Sequence, residues 1–174
     1  VEVITSAAIT NAGSTPNTIA TYTIHDANDN DVTAYFQNVS KVAGTLTVNP
    51  VALTITAASD TKAYDGAALT NNTYSLTSGA FVGTQGFASV TVVGTQTIPG
   101  SSANTITGYT FAAGTLASNY VVTTAAGTLT VTDNTTAVTI TSDSDTWTYD
   151  GATHDKQTAT ATGLPAGFSV EVTS

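Results

Sequence analysis

Apolar residues and threonine alternate along much of the chain, and this period of two predicts β-strands with one buried and one exposed face. Threonine suits the exposed face because it is β-branched and half polar. The clearest cases are Leu53-Thr54-Ile55, Val90-Thr91-Val92, Thr105-Ile106-Thr107, Leu129-Thr130-Val131 and Val138-Thr139-Ile140. Turn-forming pairs lie between them, namely Asp65-Gly66, Pro99-Gly100 and Asp150-Gly151. No stretch of a dozen residues has apolar positions at helical spacing.

Short strands between frequent turns predict an all-β fold. The apolar content of 41% is enough for a core, which disfavours a disordered chain. We therefore expect tandem small β-sandwich modules of the immunoglobulin-like type, with a β-grasp-like variant as the alternative.

The chain also repeats itself, with a period of about 85 residues. Ala52-Leu53-Thr54-Ile55-Thr56 recurs as Ala137-Val138-Thr139-Ile140-Thr141, an offset of 85 (137 − 52). Tyr64-Asp65-Gly66 recurs as Tyr149-Asp150-Gly151 at the same offset (149 − 64). Two further matches have offsets of 83 and 87: Ala43-Gly44-Thr45-Leu46-Thr47-Val48 with Ala126-Gly127-Thr128-Leu129-Thr130-Val131, and Asn17-Thr18-Ile19 with Asn104-Thr105-Ile106.

These matches divide the chain into three parts. Residues 51–134 form one complete unit, residues 1–50 match only the back half of a unit, and residues 135–174 match only the front half. We refer to these parts as the complete unit, the back half-unit and the front half-unit. We expect the parent protein to continue at both ends with more of the same repeat.

The Tyr-Asp-Gly pairs, Asn119-Tyr120 and the Ala-Gly-Thr-Leu-Thr-Val segments together resemble the YDG/MBG-type repeats of large bacterial adhesins and surface proteins. The resemblance covers essentially the whole chain, but the Asn-Tyr signature is blurred at Tyr35-Phe36. It implies a secreted, tandemly arrayed and non-catalytic protein with an extracellular or cell-surface location.

Composition narrows the class of partner. The chain has only 9% charged residues and a net charge of −9, and binding to nucleic acid depends on many Lys or Arg contacts to phosphate. Nucleic acid is therefore excluded as a partner, and insertion into a membrane is not expected because no apolar run approaches about 18 residues. The absence of cysteine excludes disulfides and thiolate metal sites.

The acidic segment at residues 25–31 is the candidate metal site. Asp26, Asn28, Asn30 and Asp31 supply the oxygen ligands that calcium prefers, and the alternate spacing of Asp26, Asn28 and Asn30 resembles the start of a calcium loop. The glycine and the distant glutamate of an EF-hand are missing, and Asp/Asn clusters also form turns. Calcium is thus the one possible cofactor, and a hydrogen-bonded turn is the alternative interpretation.

Two other features invite a catalytic or binding interpretation. The Tyr-Asp-Gly elements could supply an acid or base, but Asp-Gly is a common tight-turn pair and the element recurs at equivalent positions, which favours a corner. Trp147 is interpreted as a core or inter-repeat residue, although an exposed tryptophan could stack on a sugar.

We expect no enzyme activity and no catalytic residues. The predicted function is that of a structural repeat of an extracellular stalk, fibre or filament, whose partners are neighbouring repeats or other copies of itself. A sharper hypothesis is that the half-units complete each other by strand addition, which between chains gives head-to-tail filaments. Pairing within one chain is the other possibility, and an adhesin module that binds a glycan or host protein is the alternative function.

Overall fold

The computed structural model describes residues 2–173, and their regular structure is β-strand apart from two short 3₁₀ turns at Thr33–Tyr35 and Ala117–Asn119. The strands are β1 (Glu2–Thr5), β2 (Gly13–Asn17), β3 (Ile19–Thr23), β4 (Gly44–Val48), β5 (Val51–Ala57), β6 (Asp60–Ala63), β7 (Tyr74–Ser78), β8 (Phe87–Val93), β9 (Gly100–Phe111), β10 (Tyr120–Ala125), β11 (Gly127–Thr132), β12 (Thr139–Ser142) and β13 (Ala159–Thr162). The predicted all-β class is confirmed.

The chain forms two compact units. Among the described residues, the first contains residues 2–56, 74–91 and 106–125, and the second contains residues 57–73, 92–105 and 126–173. Strands β5, β8 and β9 contribute residues to both. These two compact units differ from the three parts that the sequence repeat predicts, with boundaries at residues 50 and 134, and that division stays a prediction.

The first unit contains the two-stranded sheets β1-β3 and β2-β4 and the three-stranded sheet β10-β5-β7. Alternate residues of β5 are buried, as the Leu-Thr-Ile alternation predicts, and Leu53 and Ile55 are enclosed. The same unit contains an aromatic cluster formed by Phe81, Phe87, Tyr109, Phe111 and Tyr120. Tyr120 is its buried member, and the three phenylalanine rings are partly buried.

The second unit contains β6, β11 and part of β9 from the four-stranded sheet β6-β11-β9-β8, and the two-stranded sheet β12-β13. Its core cluster consists of Leu69, Leu129 and Val131, with Tyr64 packed against it. Strand β11 alternates strictly between buried and less buried positions, again as predicted.

The sequence repeat has a counterpart in the strand register. Strand β4 pairs antiparallel with β2 so that Asn17 faces Gly44, and β11 pairs antiparallel with β9 so that Asn104 faces Gly127. From this Asn-Gly pair, both antiparallel ladders continue in the same register. The back half-unit therefore folds locally like the back half of the complete unit.

The front half-unit shows the same correspondence. The amide of Asp143 donates to Thr158 O at 3.0 Å, as the amide of Ala58 donates to Thr73 O at 3.0 Å. Strands β12 and β13 are thus the equivalents of β5 and β7, with an offset of 85 residues. A glycine follows the second strand of each hairpin and lies against a backbone carbonyl, that of Ala52 at Gly79 and that of Ala137 at Gly163. Their φ angles are 78° and 88°, so a side chain is excluded at both positions.

Two strands of the complete unit lack a counterpart in the half-units. Strand β10 corresponds to residues 36–43 and β6 corresponds to residues 145–148, and neither segment forms a strand. Both strands pair with the opposite half of the repeat in the complete unit: β10 pairs parallel with β5, and β6 pairs parallel with β11. Strand structure therefore fails where the ladder partner is absent, because an isolated extended segment leaves its backbone groups unpaired.

Candidate functional site

Two parallel ladders join the front and back halves of the complete unit, and they are the first part of the candidate site. In the first compact unit, β5 pairs with β10 over six residues, from Val51 opposite Tyr120 to Thr56 opposite Ala125. In the second, β6 pairs with β11 over four residues, from Asp60 opposite Leu129 to Ala63 opposite Thr132. Parallel pairing brings together segments that lie about 70 residues apart in the sequence, which local patterning does not predict.

Asn104 reinforces this junction from β9. Its side chain is fully buried, and Nδ2 donates to Ala58 O at 2.8 Å and to Asn71 O at 2.7 Å. Its Oδ1 is buried without a hydrogen-bond partner among the described residues. A buried amide that satisfies two carbonyls stabilises the fold, because either carbonyl would otherwise lose its partner.

Gly127, which faces Asn104, is required by the same contact. A Cβ at this position would lie 2.3 Å from Ala58 O and 2.5 Å from Ala57 O, so only glycine fits. The sequence motifs containing Asn104 and Gly127 are visible as repeat signatures, but their role depends on the carbonyls that approach them. The sequence shows that these motifs recur, but the recurrence does not indicate that Asn104 and Gly127 contact backbone carbonyls.

Asn119 and Tyr120, the Asn-Tyr signature, have separate roles in the first unit. The Asn119 side chain accepts from the amide of Ala12 at 2.7 Å and donates to Asn11 Oδ1 at 3.0 Å, so it ties the back half-unit to the complete unit. The Tyr120 ring is buried, and its hydroxyl donates to Gln85 Oε1 and accepts from the amide of Val82. The signature thus combines an inter-repeat contact with a core anchor.

A second inter-repeat contact lies in the second unit. The rings of Tyr64 and Phe168 meet edge to face, with centroids 5.8 Å apart. Phe168 belongs to the front half-unit and Tyr64 to the complete unit, so each of the two compact units contains a contact between neighbouring repeats.

Both Tyr-Asp-Gly elements form tight corners. Asp65 Oδ1 accepts from the amide of Ala67 at 3.0 Å, and Asp150 Oδ1 accepts from the amide of Ala152 at 2.9 Å. The following glycines have φ of 80° and 75°. The Lys62 ammonium, 2.6 Å from Asp65 Oδ1, holds the pKa of that carboxyl below its usual value, together with the Ala67 amide. The geometry agrees with the corner interpretation.

The acidic loop folds on itself through hydrogen bonds. Asp26 Oδ1 accepts from the amides of Asn28 and Asn30, at 2.8 and 3.0 Å, and its Oδ2 accepts from Asn30 Nδ2 at 3.0 Å. The Asn30 side chain and these amides lower the pKa of Asp26. The side chain and then the amide of Thr33 lower the pKa of Asp31, whose Oδ1 accepts from that amide at 2.9 Å. The four predicted ligands therefore lie in one turn, and calcium binding to them stays a prediction.

Trp147 lies in the front half-unit, half exposed. Its indole stacks on the imidazole of His154 at 5.0 Å, and His154 Nε2 lies 2.9 Å from Asp150 Oδ1. The predicted candidates Trp147 and Asp150 are thus brought together, while the acidic loop lies in the other compact unit.

The first unit also contains a shallow cleft of about 240 Å³. All of its lining residues are uncharged, and they include Thr10, Asn11, Asn49, Gln85, Asn119 and Tyr120. Such a lining offers neutral amide and hydroxyl hydrogen bonds to a ligand.

Comparison of the chain with protein-family models, with curated proteins and with solved structures finds no match. Within residues 2–173, the structure contains no helix with the length and apolarity needed to span a bilayer. Over the same residues, no three His, Asp or Glu side chains lie close enough together to share a metal ion.

Proposed function

We propose that this chain is a non-catalytic, load-bearing structural repeat of a bacterial extracellular stalk, fibre or filament, built from small immunoglobulin-like β-sandwich modules. The observation that carries the proposal is the pair of parallel ladders in the complete unit. The extracellular location rests on the resemblance to surface-protein repeats and on the acidic, cysteine-free composition.

Parallel ladders resist a pull along the chain. Tension applied at residues 50 and 134 acts on β5 at its first residue, while β10 is held from its last residue through β11. Two parallel strands pulled from opposite ends slide past each other, so the evenly spaced hydrogen bonds of the ladder must break together. The same reasoning applies to β6 and β11, which are loaded at opposite ends.

Contacts between repeats support the same role. The Asn119 bonds to residues 11 and 12 and the Tyr64–Phe168 pair each restrain one junction between neighbouring repeats. Such contacts stiffen a tandem array, because each repeat is packed against the next as well as linked to it.

Single-molecule force spectroscopy tests the proposal directly. Because the chain has no cysteine, attachment points can be chosen freely. Asn49→Cys with Asp133→Cys loads the β5–β10 ladder in shear, and each unfolding event should release a contour length of roughly 280 to 300 Å, less the folded end-to-end distance. Ala52→Cys with Val121→Cys, a directly paired position, loads the same ladder one bond at a time.

The shear geometry should unfold at a force several times that of the second geometry. Equal forces in the two geometries would refute a load-bearing role for the ladder. A thermal melt of both double-cysteine variants controls for loss of stability, since substitutions at these four exposed sites should leave the melting temperature unchanged.

The uncharged cleft favours a second candidate function, an adhesin module that binds a glycan or host protein. Its lining combines the apolar side chains of Val48, Val51 and Val82 with amide and hydroxyl groups that can hydrogen-bond to a sugar. Binding on a glycan array that is lost in Gln85→Ala would support it. No binding to any glycan, with or without calcium, would leave the structural role as the only proposal.

A further inference from the structure

The complete unit carries a row of aromatic rings at its surface. Tyr74 and Tyr109 are 40% and 38% exposed, and Phe87 lies between them, half-buried. The centroid of the Phe87 ring is 6.4 Å from that of Tyr74 and 5.3 Å from that of Tyr109, and both pairs meet edge to face. We refer to these three rings as the aromatic face. All three belong to the first compact unit.

Two further rings fix the aromatic face against the core. Phe111 stacks on Phe87 with centroids 5.4 Å apart. The ring of Phe81 lies 5.0 Å from that of Phe87 and 4.9 Å from that of Tyr120, which is buried. A ring held by such packing has little conformational freedom left to lose, so the aromatic face is preorganised for a ligand.

Hydroxyl groups continue the same surface along β8 and β9. Alternate residues of a strand share a face, which places Ser89 and Thr91 with Phe87, and Thr107 with Tyr109. All three hydroxyl-bearing residues are exposed. Aromatic rings and hydroxyls therefore lie beside each other on the exposed side of these two strands.

The strands of this surface carry no charge. The sequence contains no Asp, Glu, Lys, Arg or His between Asp65 and Asp133, and this stretch includes β7, β8 and β9. A charged ligand would lose hydration against these strands without gaining a counter-charge. The surface therefore favours an uncharged ligand.

The repeat itself does not require these rings. At the offset of 85 residues, Ala159 stands at the position of Tyr74 (159 − 74), and at the offset of 87 residues, Ile24 stands at the position of Phe111 (111 − 24). Of these three positions, only that of Tyr109 is aromatic in both copies. Rings that the fold needed would recur with the fold, so the aromatic face is better explained by binding.

We propose that the aromatic face binds an uncharged carbohydrate chain. The C–H groups on one side of a sugar carry partial positive charge, and the negative face of an aromatic ring attracts them. Ser89, Thr91 and Thr107 offer neutral hydrogen-bonding groups to the sugar hydroxyls. Because the rings form a row, successive rings contact successive sugars, and a chain binds more strongly than a monosaccharide.

Carbohydrate binding here rests on the adhesin candidate above, and it names the ligand class of that function. The surface is a different one, because the aromatic face and the uncharged cleft share no residue. Binding makes no use of the parallel ladders, so the force measurement tests the load-bearing role independently.

Affinity electrophoresis in native gels tests the proposal on the whole chain. The gels contain a series of concentrations of a neutral polysaccharide (a β-glucan, mannan, galactan or hydroxyethyl cellulose) or of an anionic one (alginate or heparin). At least one neutral polysaccharide should retard the parent chain, and the anionic ones should not. Tyr109→Ala should weaken binding about three- to tenfold, and Tyr109→Phe should bind better than Tyr109→Ala because it keeps the ring. The double variant Tyr74→Ala with Tyr109→Ala should abolish retardation.

Tyr149→Ala is the matched control, since it removes an exposed tyrosine ring from the second compact unit. It should bind like the parent chain, and a thermal melt of each variant checks that the variant is folded. A second readout needs no loss of a ring. Trp147 is the only tryptophan, so Tyr109→Trp with Trp147→Phe places a single fluorophore in the aromatic face. Its emission should shift to shorter wavelength when the retarding polysaccharide is added.

Four outcomes would overturn the inference. The first is a parent chain that none of the neutral polysaccharides retards, and the second is equal retardation by an anionic one. The third is binding that is lost in Gln85→Ala but kept in the double tyrosine variant, which would place the ligand in the cleft and retain the adhesin candidate. The fourth is self-association that requires the two tyrosines, without polysaccharide binding, which would make a second copy the occupant.

Discussion

The buried amide of Asn104 makes the most direct test of how the complete unit is held together. Asn104→Ala removes both Nδ2 hydrogen bonds, at 2.8 and 2.7 Å, and leaves the Ala58 and Asn71 carbonyls without that donor. Each buried polar group left unsatisfied costs about 1–3 kcal/mol. Removal of the unpartnered Oδ1 returns about 1 kcal/mol, so we expect a net loss of about 1–5 kcal/mol in the free energy of unfolding.

Urea denaturation followed by circular dichroism measures this loss, and the chain provides its own control. Asn17→Ala makes the same change at the equivalent position of the back half-unit, since Asn17 faces Gly44 as Asn104 faces Gly127. In dilute solution, it should change the stability of the complete unit by less than about 0.5 kcal/mol. Equal effects of the two substitutions, or a neutral Asn104→Ala, would refute the assignment of Asn104 to the junction between the two halves.

Three further predictions concern Gly127, the Asp65–Lys62 pair and the acidic loop. Gly127→Ala should destabilise the complete unit by about 2 kcal/mol or more in the same assay, because its Cβ collides with backbone carbonyls, while Gly108→Ala should not. Because the pKa of Asp65 is lowered by its pairing with Lys62, the pair contributes stability above the ordinary carboxyl pKa and loses it as pH falls through the lowered value. Urea midpoints between pH 7 and pH 2 should therefore fall less steeply in Lys62→Met than in the parent chain. If the acidic loop binds calcium, isothermal titration should show one site that disappears in Asp26→Ala; no heat in the parent chain would refute the site.

The local sequence pattern was enough to predict the all-β class, the alternation of buried and exposed residues, and the tight corners at the Asp-Gly pairs. The Leu-Thr-Ile and Leu-Thr-Val runs became strands with alternate residues buried, because side-chain alternation is a property of the strand itself. The Asp-Gly pairs became corners because only glycine readily adopts the positive φ that they require. These features depend on neighbours a few residues away, and the sequence displays those neighbours directly.

Only the tertiary structure decided which copies of a motif are buried. Leu129 in Ala-Gly-Thr-Leu-Thr-Val is fully buried, while Leu46 in the identical motif is only half-buried. The difference is set by β6, which pairs with β11 from about 70 residues earlier, whereas β4 has no such neighbour within residues 2–173. The parallel ladders and the double contact of Asn104 have the same origin. These contacts depend on segments that are distant along the chain, and a single sequence does not indicate which of its repeated strands will pair.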